Sequence, residues 1–106
     1  NIVAFVEYDG KFHFIIKYRE SESEEQSEET FNTTKRNDKH RNMHSNTTQT
    51  PLLRIHWGDR TRHKSTLNRF VKQLRDGTAA PGVSYSRENY YPDPNDPRYC
   101  RDVMEE

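Results

Sequence analysis

The prediction of the fold depends on residues 2–18, IVAFVEYDGKFHFIIKY, where two β-branched and aromatic runs flank the dipeptide Asp9-Gly10. Asp-Gly tolerates the positive φ angles of a tight hairpin turn, so the stretch predicts two antiparallel strands, residues 2–8 and 11–18. Alternation in the second run places one set of side chains on a single face, namely Phe12, Phe14, Ile16 and Tyr18. We expect this aromatic face to lie in the core.

The composition changes abruptly after these two runs. Residues 21–50 contain only two large apolar side chains, Phe31 and Met43, and an acidic first half is followed by a basic half. Burial in such a segment does not repay the entropy lost on ordering it. We therefore interpret residues 21–50 as a mobile polar insertion. Its simplest role is to keep the domain in solution, and shielding of a cationic surface by its acidic half is the alternative.

A third strand and a helix are predicted after the insertion. Residues 52–57 alternate between apolar side chains and the side chains of Arg54 and His56. Residues 66–76 carry an apolar stripe, and Ser65 or Thr66 and then Gly77 stand where the helix ends belong. The side chains assigned to the core are Leu53, Ile55, Trp57, Leu67, Phe70, Val71 and Leu74. These elements predict an α+β fold, a small three-stranded antiparallel sheet with one packed helix.

Length and composition allow one small domain, because the 106 residues are only 29% apolar and the mean hydropathy is −1.29. We assign the domain to residues 1–77 and interpret the Pro- and Tyr-rich residues 78–106 as an extended or disordered tail. The single cysteine, Cys100, rules out an intrachain disulfide and favours a reducing, intracellular setting. No apolar run approaches the roughly 20 residues that cross a bilayer, so no membrane partner is expected.

Positive charge is concentrated between Arg54 and Arg75, where seven Lys and Arg residues accompany one acid in a chain of zero net charge. Lys and Arg gain affinity for nucleic acid by displacing counterions from phosphates, and an aromatic side chain such as Trp57 can stack on a base. The candidate nucleic-acid-binding residues are Arg54, Arg60, Arg62, His63, Lys64, Arg69 and Lys72. We expect DNA as the ligand, and an ordinary charged helix face is the alternative.

Histidine and cysteine do not define a catalytic or metal site by their spacing. His40 and His44 have the separation of one helical turn, but they fall in a segment where no helix is expected. His13 is the one candidate ligand for a divalent metal. Cys100 has cationic neighbours that favour a thiolate, yet no base accompanies it. The sequence assigns no catalytic residue and no cofactor, and it favours a noncatalytic binding module.

Two known families resemble parts of the chain. Residues 2–17 together with residues 64–75 resemble the nuclease domain of parvovirus-type replication initiators, in which a strand leads into a His-hydrophobic-His strand and a helix follows. This resemblance implies an origin-binding and nicking domain of a viral replication protein, with a divalent metal held by two histidines and a tyrosine nucleophile. Here His13-Phe14-Ile15 carries only the first histidine, and no tyrosine is assigned.

The second resemblance is to chromo-shadow or chromo-type modules. It rests on the hairpin around Asp9-Gly10, a third strand and the helix with its stripe from Leu67 to Leu74. It implies a nuclear protein-interaction or dimerisation module, in which helix 66–76 or the tail at 85–99 contacts a partner or a second copy. Intracellular localisation is expected, and the chromo-type resemblance implies a nuclear one. Salt-dependent binding to DNA separates the nucleic-acid function from the protein-interaction function.

Overall fold

A computed structural model describes residues 3–59 and 61–86 of the chain. The strands are β1 (Phe5–Asp9), β2 (Leu52–His56) and β3 (Val83–Tyr85), and β2 lies in the centre of the sheet. Helix α1 (Glu24–Thr48) connects β1 to β2, and helix α2 (His63–Asp76) connects β2 to β3. Both strand pairs are parallel.

The parallel sheet with two helices shows that the predicted antiparallel sheet with one helix is wrong. An Asp-Gly hairpin turn needs positive φ, whereas Gly10 has a φ of −68° and precedes a short 3-10 helix, Lys11–His13. Residues 11–18 form no strand, and β1 pairs with β2 instead. Parallel neighbours need a crossover of about a dozen residues or more, and the two helices supply the crossovers.

Helix α1 fills most of the segment that was interpreted as a mobile insertion. It begins with a capping box: Gln26 N donates to Oγ of Ser23 at 3.1 Å, and Ser23 N donates to Oε1 of Gln26 at 2.9 Å. Acidic residues in the first turn interact favourably with the helix dipole. The buried residues are Ser27, Phe31, Asp38, Asn42 and Ser45. Because most of this inward face is polar, hydrophobic periodicity does not reveal the helix.

The two helices cover opposite faces of the sheet. Leu53 and Ile55 of β2 pack with Phe70 of α2 in an apolar core. The intervening β2 side chain, Arg54, contacts Asn42 of α1 on the other face. The predicted alternation along β2 is thus confirmed, but the face with Arg54, which was predicted to bind nucleic acid, is buried under α1.

The predicted helix over residues 66–76 lies within α2, and three of the seven predicted core side chains, Leu53, Ile55 and Phe70, are buried. Helix α2 ends at Gly77, which has a φ of 71°, the left-handed conformation that glycine adopts at low cost. Leu67 and Trp57 are half-buried, whereas Val71 is exposed. Of the aromatic face predicted for residues 12–18, Phe14 is buried, and Phe12 and Tyr18 are exposed.

The third strand comes from the region that was interpreted as a tail. Val83–Tyr85 pairs with β2 as β3, and residues 87–106 lie outside the described residues. The described part of the chain contains no helix with the length and apolar character needed to cross a membrane.

Candidate functional site

Polar side chains gather where the parallel strands end. Asp9 is the last residue of β1, His56 is the last residue of β2, and Ser86 follows β3. The backbone N–H of His56 donates to Oγ of Ser86 at 3.0 Å, which joins the ends of β2 and β3. Ligands of open α/β sheets bind outside the carboxyl ends of the strands. This end of the sheet therefore has the location that ligand sites occupy in such folds.

Arg54 is the centre of a buried polar network between the sheet and α1. Its side chain is 0% exposed. Nη1 donates to Oδ1 of Asp9 at 2.7 Å, Nε donates to Oδ1 of Asn42 at 2.7 Å, and Nη2 donates to the backbone carbonyl of Asp38 at 3.0 Å. The carboxylate oxygen Oδ1 of Asp38 also lies 3.6 Å from Nη1. These partners compensate the large cost of removing a guanidinium from water.

His13 adds an imidazole to the two carboxylates. Its Nδ1 lies 2.7 Å from Oδ2 of Asp38 and 3.5 Å from Oδ1 of Asp9. One ligand atom from each of the three residues lies within 4.8 Å of the others. Carboxylate oxygens and an imidazole nitrogen are common ligands of divalent metals. Asp9, His13 and Asp38 are hereafter the candidate metal site.

The surroundings shift the protonation of His13. Burial alone would lower the pKa of this histidine, but the hydrogen bond with Asp38 and the charges of Asp38 and Asp9 outweigh burial and the repulsion from Arg54. The net result is a pKa above the ordinary value of 6.5. In the metal-free protein, the cationic imidazole therefore stabilises the fold by pairing with the carboxylates.

We predict that the free energy of unfolding of the metal-free chain falls as the pH rises above about 6.5. A histidine with a raised folded pKa contributes its full stabilisation below its unfolded pKa of about 6.5, and the contribution is lost as the pH rises through the folded value. His13→Gln should flatten this part of the pH profile, measured by urea unfolding in EDTA. His40→Gln, a matched change at an exposed position of α1, should keep the slope. An unchanged slope in His13→Gln would contradict the assignment.

The predicted nucleic-acid-binding residues do not all lie on one surface. Arg54 is buried in the polar network, which removes it from any interface with phosphate. Arg60 lies outside the described residues. The exposed members lie in α2 or directly before it, and they are Arg62, His63, Lys64, Arg69 and Lys72. Within residues 3–59 and 61–86, none of the four Lys and Arg among them forms an ion pair with an acid.

The cations of α2 are connected to the candidate metal site through the topology. Strand β2 ends at His56, and α2 begins shortly afterwards at His63. The first turn of α2 therefore lies at the same end of the sheet as Asp9. A groove of about 270 Å³ between α2 and β3 is lined by Arg69, Gln73 and Tyr85, among others. The groove offers a cation, an amide and an aromatic ring to a ligand that approaches the face of the sheet covered by α2.

Sequence reasoning found His13 but did not connect it with its carboxylate partners. Asp9 was assigned to a turn, and Asp38 was assigned to the insertion. One signal for α1 was present, because Phe31, Asp38 and Ser45 recur at intervals of seven residues, which is two helical turns. A stripe with one apolar and two polar members was not recognised as a buried face.

The other histidine pair also lies on α1. His40 and His44 line a cavity of about 380 Å³ together with Phe5 and Glu7. In the described parts of the chain, Asp9, His13 and Asp38 remain the group whose three ligand atoms approach closely enough for a metal ion. Comparison of the chain with protein-family models, with curated proteins and with solved structures finds no match.

Proposed function

We propose that this chain is a divalent-metal-dependent nuclease module that acts on nucleic acid, with DNA as the expected substrate. The observation that carries the proposal is the candidate metal site: Asp9, His13 and Asp38 converge at the carboxyl end of a parallel sheet. The exposed cations of α2 begin at the same end. A metal ion held by acidic and imidazole ligands, together with cations that hold the phosphate backbone, is the combination that metal-assisted phosphodiester hydrolysis requires.

The donor set fits Mn²⁺ and Mg²⁺. Both ions prefer carboxylate oxygens, and Mn²⁺, as a transition-metal ion, accepts the imidazole nitrogen of His13 more readily than Mg²⁺ does. Asp38 provides a further sign that the site can hold a cation, because its carboxylate oxygen Oδ1 is buried without a hydrogen-bond partner in the described structure. When bound, the ion would polarise a phosphate oxygen and activate water.

The protein side chains then have separate tasks. Asp9 and Asp38 supply negative charge, and both are almost completely buried, so their orientations are fixed by packing and hydrogen bonds. His13 must lose its proton to become a ligand, which couples metal binding to proton release. Arg62, Lys64 and the other exposed cations of α2 would hold the phosphate backbone without selecting a base sequence.

Noncatalytic nucleic-acid binding is the second candidate function. Arg54 already forms an ion pair with Asp9, so the carboxylate has a cationic partner without any metal. The protein-interaction alternative has less support, because the hairpin behind the chromo-type resemblance is not formed in residues 3–18. In addition, Phe70 and Leu74 of α2 pack on the sheet instead of facing a partner.

The test of the proposed function is a cleavage assay on labelled single-stranded and double-stranded DNA and on RNA. We expect strand cleavage in Mn²⁺, weaker or equal cleavage in Mg²⁺, and none in EDTA. A label that stays covalently attached to the protein would support the tyrosine chemistry of viral replication initiators, whereas free product strands support hydrolysis. Binding without cleavage under every metal condition would favour the noncatalytic candidate.

Binding to DNA should weaken steeply with salt and depend on α2. Arg62→Ala/Lys64→Ala removes two exposed charges at the start of the helix, and each lost phosphate contact lowers the salt slope of log K by about 1. The measurement is fluorescence anisotropy between low and physiological salt. Arg36→Ala/Lys39→Ala, which removes the same charge from exposed positions of α1, should leave the slope almost unchanged. Equal losses in both double variants would contradict a specific role for α2.

A further inference from the structure

We propose that Arg54 is a positioning residue that limits the candidate metal site to one divalent ion. The inference rests on the proposed function and goes beyond it, because phosphodiester hydrolysis is performed by sites with one metal and by sites with two. Two observations carry it: the hydrogen bond that occupies Asp9, and the charge balance of the buried cluster.

The position of Arg54 opposes the bridging of two ions by Asp9. A bridging carboxylate in a two-metal site gives one oxygen to each ion, and the ions lie about 3.5–4 Å apart. Oδ1 of Asp9 accepts a hydrogen bond from Nη1 of Arg54 at 2.7 Å. A second ion on this oxygen would lie directly beside the guanidinium, and the two positive charges would repel each other.

Arg54 cannot leave its position without a large loss of contacts. Nε is held by Asn42 at 2.7 Å and Nη2 by the backbone carbonyl of Asp38 at 3.0 Å, and both partners belong to α1. Withdrawal of the side chain would leave these acceptors unsatisfied inside the protein, where unpaired polar groups are costly. The guanidinium is therefore a fixed cation beside the site.

The charge balance leads to the same limit. Two carboxylates and one guanidinium leave one negative charge on the buried cluster when His13 is neutral. One divalent ion changes this to one positive charge, and a second ion would raise it to three positive charges. Asp9, His13, Asp38 and Arg54 provide no further negative charge to balance three positive charges in a buried site. The second ion is therefore excluded.

The experiment is a titration of the whole chain with Mn²⁺, in which free and bound ions are counted by electron paramagnetic resonance. We expect one bound Mn²⁺ per chain at saturation and no signal from exchange-coupled ions. Two ions per chain with a coupled signal would overturn this inference and leave the proposed function intact. Absence of saturable binding would overturn the metal site, and this inference with it.

Variants at Arg54 test the cause of the limit. Arg54→Gln removes the fixed charge, so it should bind the first Mn²⁺ at least about tenfold more tightly or accept a second ion. Arg54→Lys keeps the charge and should keep one ion. Arg41→Gln is the matched control, because this exposed arginine of α1 pairs with Glu7 outside the candidate metal site, and it should bind like the wild type. Binding of one Mn²⁺ with unchanged affinity by a folded Arg54→Gln chain would contradict the role of Arg54. If that variant does not fold, the number of Mn²⁺ ions bound by the wild type decides whether the site is limited to one ion.

Discussion

Replacement of Asp38 by Asn is expected to abolish metal-dependent cleavage while the chain remains folded. Removing a residue that hydrogen-bonds to a metal ligand costs about 10–100-fold in affinity or activity. The loss of a ligand carboxylate itself should therefore cost at least about 100-fold. The amide keeps the shape of the side chain, and the bond from Arg54 to the backbone carbonyl of residue 38 is unaffected. The measurements are cleavage rate in Mn²⁺ and Mn²⁺ affinity by calorimetry, which should fall together.

A matched control separates this effect from a general loss of negative charge. Asp76→Asn removes one carboxylate at the exposed end of α2, away from the candidate metal site, and should keep wild-type cleavage. Circular dichroism establishes that both variants are folded. Cleavage within a few-fold of the wild type in Asp38→Asn would remove Asp38 from the site and return the noncatalytic candidate to first place.

The sequence was sufficient for the elements whose buried faces are apolar. Leu53 and Ile55 alternate along β2, and Phe70 belongs to a stripe at helical spacing, so burial of these side chains follows from hydrophobic periodicity. The end of α2 at Gly77 was likewise predictable, because glycine adopts the required positive φ without a steric penalty. In β2 and α2, the hydrophobic periodicity and the helix-ending glycine thus predict the same structure.

The same reasoning failed for α1 because its inward face contacts a charge. Asp38 and Asn42 have the composition of a solvent-facing helix until their partner, Arg54, is known. Asp9 and Arg54 are separated by 45 positions in the chain, so no local pattern connects them. A buried polar face is therefore indistinguishable from a surface in a single sequence, and the candidate metal site lies on that face.

Strand direction was lost for a related reason. Alternation indicates that β1 and β2 are strands, but it is the same for parallel and antiparallel pairs. The direction depended on whether Asp9-Gly10 formed a turn or ended a strand. Once residues 21–50 were taken to be unstructured, no crossover was available, and an antiparallel hairpin was the only short connection. The assumed Asp-Gly turn set the strand direction, and the missing helix removed the crossover that would have allowed a parallel pair.

Replacement of Arg54 by Leu should destabilise the metal-free chain by about 3–5 kcal/mol, the usual cost of removing one partner from a buried ion pair. The variant leaves the carboxylates of Asp9 and Asp38 buried without the guanidinium that bonds them. Urea unfolding in EDTA, followed by circular dichroism, measures the change. Arg41→Leu is the matched control, since this arginine is exposed and pairs with Glu7, and it should cost at most about 1 kcal/mol.

The destabilisation in Arg54→Leu should depend on the charge of Asp9. In a double-mutant cycle, Arg54→Leu/Asp9→Asn should be less destabilised than the sum of its single variants, by a coupling of about 1–3 kcal/mol, because the second change removes a carboxylate that the first leaves unpaired. Mn²⁺ should also stabilise Arg54→Leu more than it stabilises the wild type, since a bound dication replaces the missing positive charge. Additive single effects together with equal stabilisation by Mn²⁺ would mean that Arg54 supports the fold through packing alone. Coupling in both measurements would instead show that Arg54 and a metal ion compensate the same carboxylates, which is the relation on which the candidate metal site depends.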